Sequence, residues 1–176
     1  MLVSITVCDG MPKYRSYKFY IVEKKVKLPN GKQFMVSIVV HKPVVVIIPV
    51  LNGKILLERQ YRYSFNKWLY ELPAGFLHYK MPLKKLAVKE LHEETGYVAQ
   101  KLTYLFKAYA AAGTGTETYY YYLAEGLKKD KQHLEKYEKI RVKWYSMKQA
   151  LEMIKDNKIV DAKAIQGILY YYNFVK

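Results

Sequence analysis

Apolar and polar side chains alternate along the first forty residues, as in the run KFYIVEKKVKL. Alternation with a period of two is typical of a β-strand that buries one face. The pair Asn30-Gly31 stands between two such runs, and this dipeptide is a strong signal for a two-residue hairpin turn. The pattern therefore predicts a small antiparallel sheet in an N-terminal hairpin region at residues 1–40.

The next runs predict the central strands of the fold. PVVVIIPVL is continuously apolar and rich in β-branched residues, and KILLERQYRY returns from it after the turn signal Asn52-Gly53. Further strands are predicted in KLTYLFKAYAA and ETYYYYLAEGL, on either side of a glycine loop at residues 112–116, and in IRVKWY. For the charged stretch 128–139 the pattern favours a loop or a short helix.

Three segments show helical spacing instead of alternation. In the first, residues 82–95, Pro82 suits the first helical position and Gly96 suits the left-handed residue just past the end. Ser146 is suited to cap a second helix through residue 155, with Gln149 completing a capping box. A third is predicted from its cap, Asp161, to about residue 172. Strands and helices in this order predict an α+β fold with helices packed on a mixed sheet.

Length and composition fit one compact domain. A chain of 176 residues can bury a sizeable core, and 51% hydrophobic with 26% charged residues is ordinary globular usage. The longest apolar run, at residues 44–51, is far shorter than the ~20 residues that span a bilayer, so no membrane helix is predicted. The start of the chain does not have the layout of a secretory signal. Because Cys8 is the only cysteine, no internal disulfide can form, and a cytoplasmic location is expected.

The net charge points to anionic partners. Thirty Lys and Arg against fifteen Asp and Glu give a formal charge of +15, which attracts nucleotides, nucleic acid or anionic membrane. Lysine is spread along most of the chain, however, which equally suits a solvated surface. Arginine is the more informative cation, because the chain has only four and two of them, Arg59 and Arg62, fall in the run RQYR.

The helix predicted at residues 83–95 turns carboxylates toward its buried side. At about 100° per residue its leucines form one stripe, and Glu90 and Glu94 project along that stripe with Glu93 beside them. Buried carboxylates at the negative end of a helix dipole are unfavourable unless a cation lies among them. The nearest lysines, including Lys89, are predicted to face solvent. Hard carboxylate oxygens suit Mg²⁺ or Mn²⁺, which indicates phosphate chemistry.

The spacing of this segment resembles the Nudix box. The family pattern is Gly, five residues, Glu, seven residues, Arg-Glu, an aliphatic residue, any residue, Glu-Glu, any residue, Gly and an aliphatic residue. Gly75 is followed at the same spacing by Met81 and by KELHEETGY at residues 89–97, so seven of nine specified positions match. The runs RQYR, ELPAG, TGYVA, YLAEGL and IVDAKAI further resemble the ADP-ribose pyrophosphatase branch, over roughly residues 40–170.

The resemblance implies a Nudix fold, with a mixed sheet sandwiched between helices at residues 41–176, and a metal-dependent hydrolase of nucleoside diphosphate-linked compounds. Water attack on the diphosphate of ADP-ribose would give AMP and ribose 5-phosphate. The implied metal is Mg²⁺, with Mn²⁺ as an alternative, and its implied ligands are Glu90, Glu93, Glu94 and the carbonyl of Ala74. Catalysis is assigned to Glu93 and to Glu117, which matches the loop acid that orients or deprotonates the water. Substrate binding is assigned to Arg62, Arg59, Glu71 and Gly113.

Two positions depart from the box. Met81 stands where the family has Glu, and Lys89 stands where it has Arg, so the ion pair that braces the catalytic loop is lost. We expect Met81 to pack against the aliphatic part of Lys89 and the metal ligands to be retained. Residues 41–43 and 111–113 also depart from the branch's His-Pro and Pro-Gly pairs.

The N-terminal hairpins resemble the region through which these enzymes dimerise, so a homodimer is expected. A small nucleoside diphosphate compound is the expected partner, but two alternatives stay open. One is the same fold acting on a dinucleotide, a nucleotide sugar or an RNA 5′ end, which the charge of +15 favours. The other is a non-catalytic ADP-ribose-binding module, favoured by the two departures. His78, His92 and His133 have no partner that the sequence identifies, and we interpret them as surface residues.

Overall fold

A computed structural model describes residues 12–77 and 80–176 of the chain. Cys8 and His78, on which two of the expectations rest, lie outside these residues. The described part contains twelve strands and three helices: β1 (Tyr14–Arg15), β2 (Phe19–Lys27), β3 (Gln33–His41), β4 (Val44–Leu51), β5 (Lys54–Arg62), β6 (Lys67–Glu71), β7 (Ala74–Phe76), α1 (Leu83–Thr95), β8 (Tyr97–Val98), β9 (Lys101–Tyr109), β10 (Thr118–Glu125), β11 (Lys128–Lys129), β12 (Ile140–Ser146), α2 (Met147–Lys155) and α3 (Ala162–Phe174).

The chain divides into two compact units. The described residues up to Pro43 form the first unit together with Ala108–Thr118, and Val44–Lys107 and Tyr119–Lys176 form the second. In the first unit, β1, β2 and β3 make the predicted antiparallel sheet. The hairpin between β2 and β3 is confirmed, but its turn is longer than the predicted two residues. The backbone N–H of Leu28 donates to the carbonyl of Lys32 at 2.8 Å, so three residues connect this pair, and Gly31 among them has a positive φ of 82°.

One mixed sheet organises the second unit. Its strand order is β12-β5-β4-β10-β9, with β6 paired to β5 and β7 paired to β4. The β4–β10 pair is parallel, whereas β12–β5, β5–β6, β4–β5 and β4–β7 are antiparallel. The predicted turn between β4 and β5 is confirmed, because Asn52 and Gly53 both have positive φ, at 49° and 71°. The two apolar runs are therefore neighbours at the centre of the sheet, as predicted.

Helices cover both faces of this sheet. Val45 and Ile47 of β4 pack in one buried cluster with Leu86 and Leu91 of α1. Ile48, one residue further along β4, points to the other face, where it contacts the position of Gly167 in α3. That helix lies so close that a Cβ on Gly167 would be 2.6 Å from Leu72. The predicted α+β sandwich is thus confirmed.

Local capping signals match the observed helix ends. Ser146 and Gln149 form both hydrogen bonds of the predicted capping box, and Asp161 accepts from the third helix's backbone. That helix ends two residues later than predicted. The first helix begins at Leu83, so Pro82 is its cap residue rather than the predicted first helical position, whereas Gly96 has the predicted left-handed conformation, with φ of 68°. None of the helices in the described residues is long and apolar enough to cross a membrane.

Candidate functional site

The last two turns of α1 place acidic side chains in the interior of the second unit. Glu94 is 4% exposed, and the side chain of Glu90 is 13% exposed, so the prediction that they face the buried side is confirmed. Glu93 lies at the margin, with its side chain 33% exposed. Helical spacing produces this arrangement, since residues four apart lie on one face.

The start of β7, with the loop before it, meets these carboxylates. The backbone N–H of Ala74 donates to Oε2 of Glu94 at 2.8 Å. A Cβ on Gly75 would lie 2.2 Å from Cδ of Glu90, so any side chain there would displace this glutamate. The carbonyl of Pro73 accepts from the backbone of Ile47 at 2.9 Å, which fixes the loop to the central strand. The glycine of the motif therefore leaves room for the side chain of Glu90 in its observed position.

Lys89 lies nearer to the carboxylates than predicted. Its Nζ is 2.5 Å from Oε2 of Glu93 and 3.9 Å from Oε1 of Glu90. The prediction that it turns away from them is wrong, because the flexible lysine stem lets its ammonium reach residues one turn along the helix. Burial opposes the charged form, but the hydrogen bond that Lys89 donates to Glu93 and the charges of Glu90 and Glu93 hold the pKa of Lys89 above its ordinary value. Met81 is half-buried against the apolar cluster below the helix.

Residues 130–133 hold the end of α1 in place. The backbone N–H of His133 donates to the carbonyl of Glu93 at 2.9 Å, and the side-chain amide of Gln132 donates to the carbonyl of Glu94. Carbonyls at a helix end lack partners within the helix, so these bonds satisfy groups that would otherwise be unpaired. The charged stretch 128–139, predicted as a loop or short helix, contains the two-residue strand β11 and irregular chain.

His92 has a partner that sequence reasoning missed. Its Nε2 lies 3.0 Å from Oδ2 of Asp130, and its ring contacts the ring of His133, with centroids 5.5 Å apart. His133 is exposed, as interpreted, whereas His92 is half-buried and has a partner, Asp130, that the sequence did not identify. A hydrogen bond from the backbone of Lys131, followed by the bond with His92, lowers the pKa of Asp130.

Arg62 and Glu71 form a bidentate ion pair on the sheet. Nε and Nη2 of Arg62 each lie 2.6 Å from a carboxylate oxygen of Glu71, which is 1% exposed. Lys163 of α3 also donates to Glu71, and it donates to Asp161 at 2.8 Å. Burial would raise the pKa of Glu71, but the bonds and charges from the two cations lower it below its ordinary value. Sequence reasoning missed Lys163, although it lies in the quoted run IVDAKAI.

Glu58 is a second feature that sequence reasoning missed. It lies directly opposite Glu71 in the β5–β6 register and is 1% exposed. Neither of its carboxylate oxygens has a hydrogen-bond partner among the described residues. Burial, followed by the charge of Glu71, raises its pKa to about 8, although Lys163 and Arg62 oppose the shift. The available signal was a glutamate directly after the apolar run ILL of a predicted central strand.

These acids raise one another's pKa. Burial contributes most to the raised pKa of Glu94, followed by the charges of Glu58 and Glu90. Burial likewise raises the pKa of Glu90 to about 7, with Lys89 opposing and Glu93 adding to the shift. The protonated forms are favoured because too few cations lie among these groups.

The donors suit a hard divalent cation. No group of three or more His, Cys, Asp or Glu side chains in the described residues is already arranged to hold a metal ion. Glu93 is drawn toward Lys89, and one oxygen of Glu94 accepts from Ala74. The donors themselves are nevertheless carboxylate oxygens, the ligands that Mg²⁺ and Mn²⁺ prefer, and both oxygens of the buried Glu58 lack a hydrogen-bond partner among the described residues. In their chemistry the residues therefore fit such an ion.

Arg59 lies on the other face of the sheet from Arg62. Its guanidinium lies 5.8 Å from the ring centroid of Trp68 and 5.6 Å from that of Tyr70. Positions three apart on a strand point to opposite faces, so one arginine joins Glu71 and the other joins the aromatic rings. The guanidinium of Arg141 also lies over Trp68, 5.1 Å from its ring centroid. The structure does not bring Arg59 and Arg62 together.

Two further predicted residues belong to the first unit. Oε1 of Glu117 lies 4.0 Å from Nδ1 of His41, and the side chain is 29% exposed. A Cβ on Gly113 would meet nothing within 4 Å, so packing does not require a glycine there. The same unit contains a cavity of about 510 Å³ whose lining includes cations and aromatic rings: Arg15, Tyr17, Lys18, Phe19, Tyr20 and Lys42.

Comparisons with known proteins show the family and the fold of the chain. The NUDIX domain family matches residues 40–167. The ADP-ribose pyrophosphatase of Bacillus subtilis (strain 168) is 34% identical over 148 residues, which are 82% of this chain and 80% of that protein. The methanol dehydrogenase activator of Bacillus methanolicus is 32% identical over the same shares. A crystal structure of an ADP compounds hydrolase covers 97% of this chain and 94% of its own, with a TM-score of 0.85 at 17% identity, which shows a common fold.

Proposed function

This chain belongs to the Nudix family and is a Nudix pyrophosphohydrolase, and from that premise we propose that it hydrolyses ADP-ribose to AMP and ribose 5-phosphate. The observation that carries the proposal is the combination of buried carboxylates at the end of α1 with Arg62, a guanidinium held by Glu71. Carboxylates that bind a divalent cation, with an arginine beside them, can together bind a diphosphate. The name of the Bacillus subtilis relative supports ADP-ribose as the compound that carries it.

The proposed cation is Mg²⁺, with Mn²⁺ able to replace it. Glu90, Glu93, Glu94 and the carbonyl of Ala74 would hold it. When bound, such an ion lowers the pKa of water and offsets negative charge on the phosphoryl oxygens. Glu93 would also act in catalysis, and Lys89 competes for it through the ion pair at 2.5 Å.

Arg62 is proposed to bind the diphosphate. Glu71 fixes the plane of its guanidinium through two hydrogen bonds, and Lys163 shares the charge of the same carboxylate. Because two cations share the single negative charge of Glu71, the group keeps a net positive charge that can attract a phosphate. The planar guanidinium of Arg62 is suited to bind phosphate oxygens. Arg59 is not part of this proposal, because its guanidinium lies over Trp68 and Tyr70.

In the first unit, Glu117 is proposed to orient or deprotonate the attacking water, and Gly113 to contact the substrate. A half-buried carboxylate can accept a proton from water when the geometry allows.

A substrate panel tests the proposed activity. We expect ADP-ribose with Mg²⁺ to give AMP and ribose 5-phosphate at a higher kcat/KM than FAD, NADH, GDP-mannose, diadenosine polyphosphates or 5′-triphosphate RNA, with products identified by chromatography. Glu94→Gln should lower turnover at least about a hundredfold, since the loss of ~3 kcal/mol of transition-state stabilisation has that effect. Glu152→Gln, at an exposed position on α2, is the control. Full activity in Glu94→Gln would contradict the site.

RNA is the second candidate substrate. The charge of +15 favours it, as does an exposed group of cations on β5 and β12, namely Arg59, Arg141 and Lys143. The register pairs Arg59 with Arg141, so this group lies on the face of the sheet opposite to Glu58 and does not lead to the carboxylates. Products from RNA alone in the same panel would support this candidate. Nucleotide binding without any product would instead support a non-catalytic binding module.

We further propose that the protein is a homodimer formed through the first unit and is located in the cytoplasm, where its single cysteine would stay reduced. Phe34 and Met35 on β3 are 48% and 57% exposed and lie on opposite faces of the strand, so each face presents apolar surface that contact with a second copy would cover. Analytical ultracentrifugation should give a mass of about twice the chain mass of 20.8 kDa. The double variant Phe34→Ser, Met35→Ser should lower the measured mass to that of the monomer. A wild-type monomer would contradict the proposal.

A further inference from the structure

Glu58 is a feature of the second unit that the proposed reaction leaves unexplained. The residue is 1% exposed, and both of its carboxylate oxygens lack a hydrogen-bond partner among the described residues. Nearly all buried polar groups in proteins are paired, and an unpaired one costs about 1–3 kcal/mol, more if it is charged. A carboxylate in this position on the central sheet calls for a partner that the neighbouring side chains do not supply.

The cations nearest to Glu58 are bound elsewhere. Glu58 and Glu71 face each other across the β5–β6 pair, so their side chains lie on the same face of the sheet. Arg62 gives two hydrogen bonds to Glu71, and Lys163 gives its bonds to Glu71 and Asp161. Both cations therefore satisfy Glu71, and none of their hydrogen bonds reaches Glu58.

The other acid near Glu58 comes from the metal-binding helix. Of all the charges that act on Glu94, that of Glu58 raises its pKa the most. Glu94 is 4% exposed, and its Oε2 accepts one backbone N–H, that of Ala74. A strand and a helix thus each contribute a buried carboxyl group here, and among the described residues neither oxygen of Glu58 has a hydrogen-bond partner.

We propose that Glu58 is a further ligand of the divalent cation and binds it together with Glu94, so that β5 as well as α1 supplies carboxylate oxygen. The inference rests on the proposed metal site and extends it beyond the Nudix box. A shared cation satisfies both unpartnered oxygens and offsets the charges of the two acids. A protonated Glu58 without a ligand would lose the charge, but its carbonyl oxygen and hydroxyl would stay unpaired.

Direct binding of Mn²⁺ tests this assignment without using activity. Free Mn²⁺ is measured by electron paramagnetic resonance during titration of wild type, Glu58→Gln, Glu94→Gln and Glu138→Gln. We expect Glu58→Gln to weaken Mn²⁺ binding at least about tenfold, since removal of even an outer partner of a metal ligand has that effect. Glu138 also raises the pKa of Glu58, but its own carboxylate accepts from the backbone of Glu135 at 2.9 Å. Glu138→Gln therefore controls for the loss of one charge and should stay within about twofold.

The outcomes separate the two levels of the proposal. Unchanged Mn²⁺ affinity in Glu58→Gln, with a loss in Glu94→Gln, overturns the role of Glu58 and leaves the metal site intact. Unchanged affinity in both variants overturns the metal site itself. Circular dichroism checks that each variant folds. If Glu58→Gln does not fold, anomalous diffraction from Mn²⁺-soaked wild-type crystals decides the question. A peak about 2.1 Å from a Glu58 oxygen supports the assignment, and a peak bound by the α1 carboxylates without Glu58 overturns it.

Discussion

Lys89 can tune the candidate metal site without being a ligand. It holds Glu93 at 2.5 Å, and its side chain is 46% exposed, so the pair is worth only about 0.3–0.5 kcal/mol. Removal of the ammonium frees Glu93 for the ion. We expect Lys89→Met to lower the Mg²⁺ concentration for half-maximal activity by roughly twofold, the factor that this free energy gives. The hydrolysis rate, measured at increasing Mg²⁺ concentrations, gives this half-maximal concentration for each protein.

Lys85→Met is the matched control for this experiment. Lys85 lies on the same helix and is exposed, so its removal takes away one charge without freeing a carboxylate of the site. We expect its metal requirement to match wild type. A higher metal requirement in Lys89→Met would show that Lys89 helps to place Glu93 rather than competing for it.

Alternation within a strand accounts for what the site predictions missed. Arg59 and Arg62 were both assigned to the substrate from the run RQYR, yet three positions along a strand always reverse the face. The same rule puts Glu58 on the face of Arg62, where a glutamate at 1% exposure signals a special role. Lys163 was beyond prediction, because its bond to Glu71 joins residues 92 positions apart.

At the scale of elements, the start of α3 is joined to β6 by a buried charge. The side chain of Lys163 is 11% exposed, and it forms an ion pair with Glu71, whose side chain is 1% exposed. Burial opposes its charge, but Glu71 and Asp161 hold the pKa of Lys163 above the ordinary value. Lys163→Met should lower the free energy of unfolding by about 3 kcal/mol, because it leaves two carboxylates without this cation. Urea denaturation measures the loss.

The same variant should also raise KM for ADP-ribose. Without Lys163, the charge of Glu71 would neutralise Arg62 alone, and Arg62 would bind the diphosphate less strongly. Lys163→Arg, which keeps the charge, should recover part of both losses, and the exposed Lys148→Met should change neither. Wild-type stability in Lys163→Met would show that Arg62 alone satisfies Glu71.

Elements with local signals were predicted well. The two Asn-Gly hairpins and the Ser146 capping box depend on residues within a few positions, so the sequence contains all that determines them. The strands β6 and β7 were not predicted. They have five and three residues, too few to show a period, and their pairing with β5 and β4 depends on the tertiary fold.

At the scale of the whole molecule, the buried acids make folding stability depend on pH. The pKa of Glu58 is raised to about 8 and that of Glu90 to about 7, mainly by burial, from an ordinary value of 4.5. A raised pKa in the folded state means that the protonated form favours folding. This contribution is complete below about pH 4.5 and is lost as the pH rises through 7 and 8. The charged groups that act on Glu58 are Glu71, Lys163, Arg62 and Glu138.

We therefore expect the metal-free protein, kept in chelator, to lose a few kcal/mol of unfolding free energy between about pH 5 and pH 9, as each pKa unit corresponds to ~1.4 kcal/mol. Glu71 contributes with the opposite sign, because its pKa is lowered in the folded state. Its contribution to stability is present above the pKa of the unfolded chain and is lost as the pH falls through the folded pKa. Urea denaturation across this range measures the sum, and Glu58→Gln should flatten the profile. Stability that rises toward pH 9 in wild type would contradict the prediction.

The bonds that residues 130–133 make to the end of α1 bear on which ions the site can accept. The carbonyls of Glu93 and Glu94 are held by His133 and Gln132, so the last turn cannot slide along its axis without breaking these bonds. Adjustment to ions of different radius must then come from the torsion angles of the glutamate side chains. Small ions such as Mg²⁺ demand near-ideal octahedral geometry, whereas Ca²⁺ accepts more ligands at longer distances. Discrimination between them would thus depend on a segment that contributes no ligand.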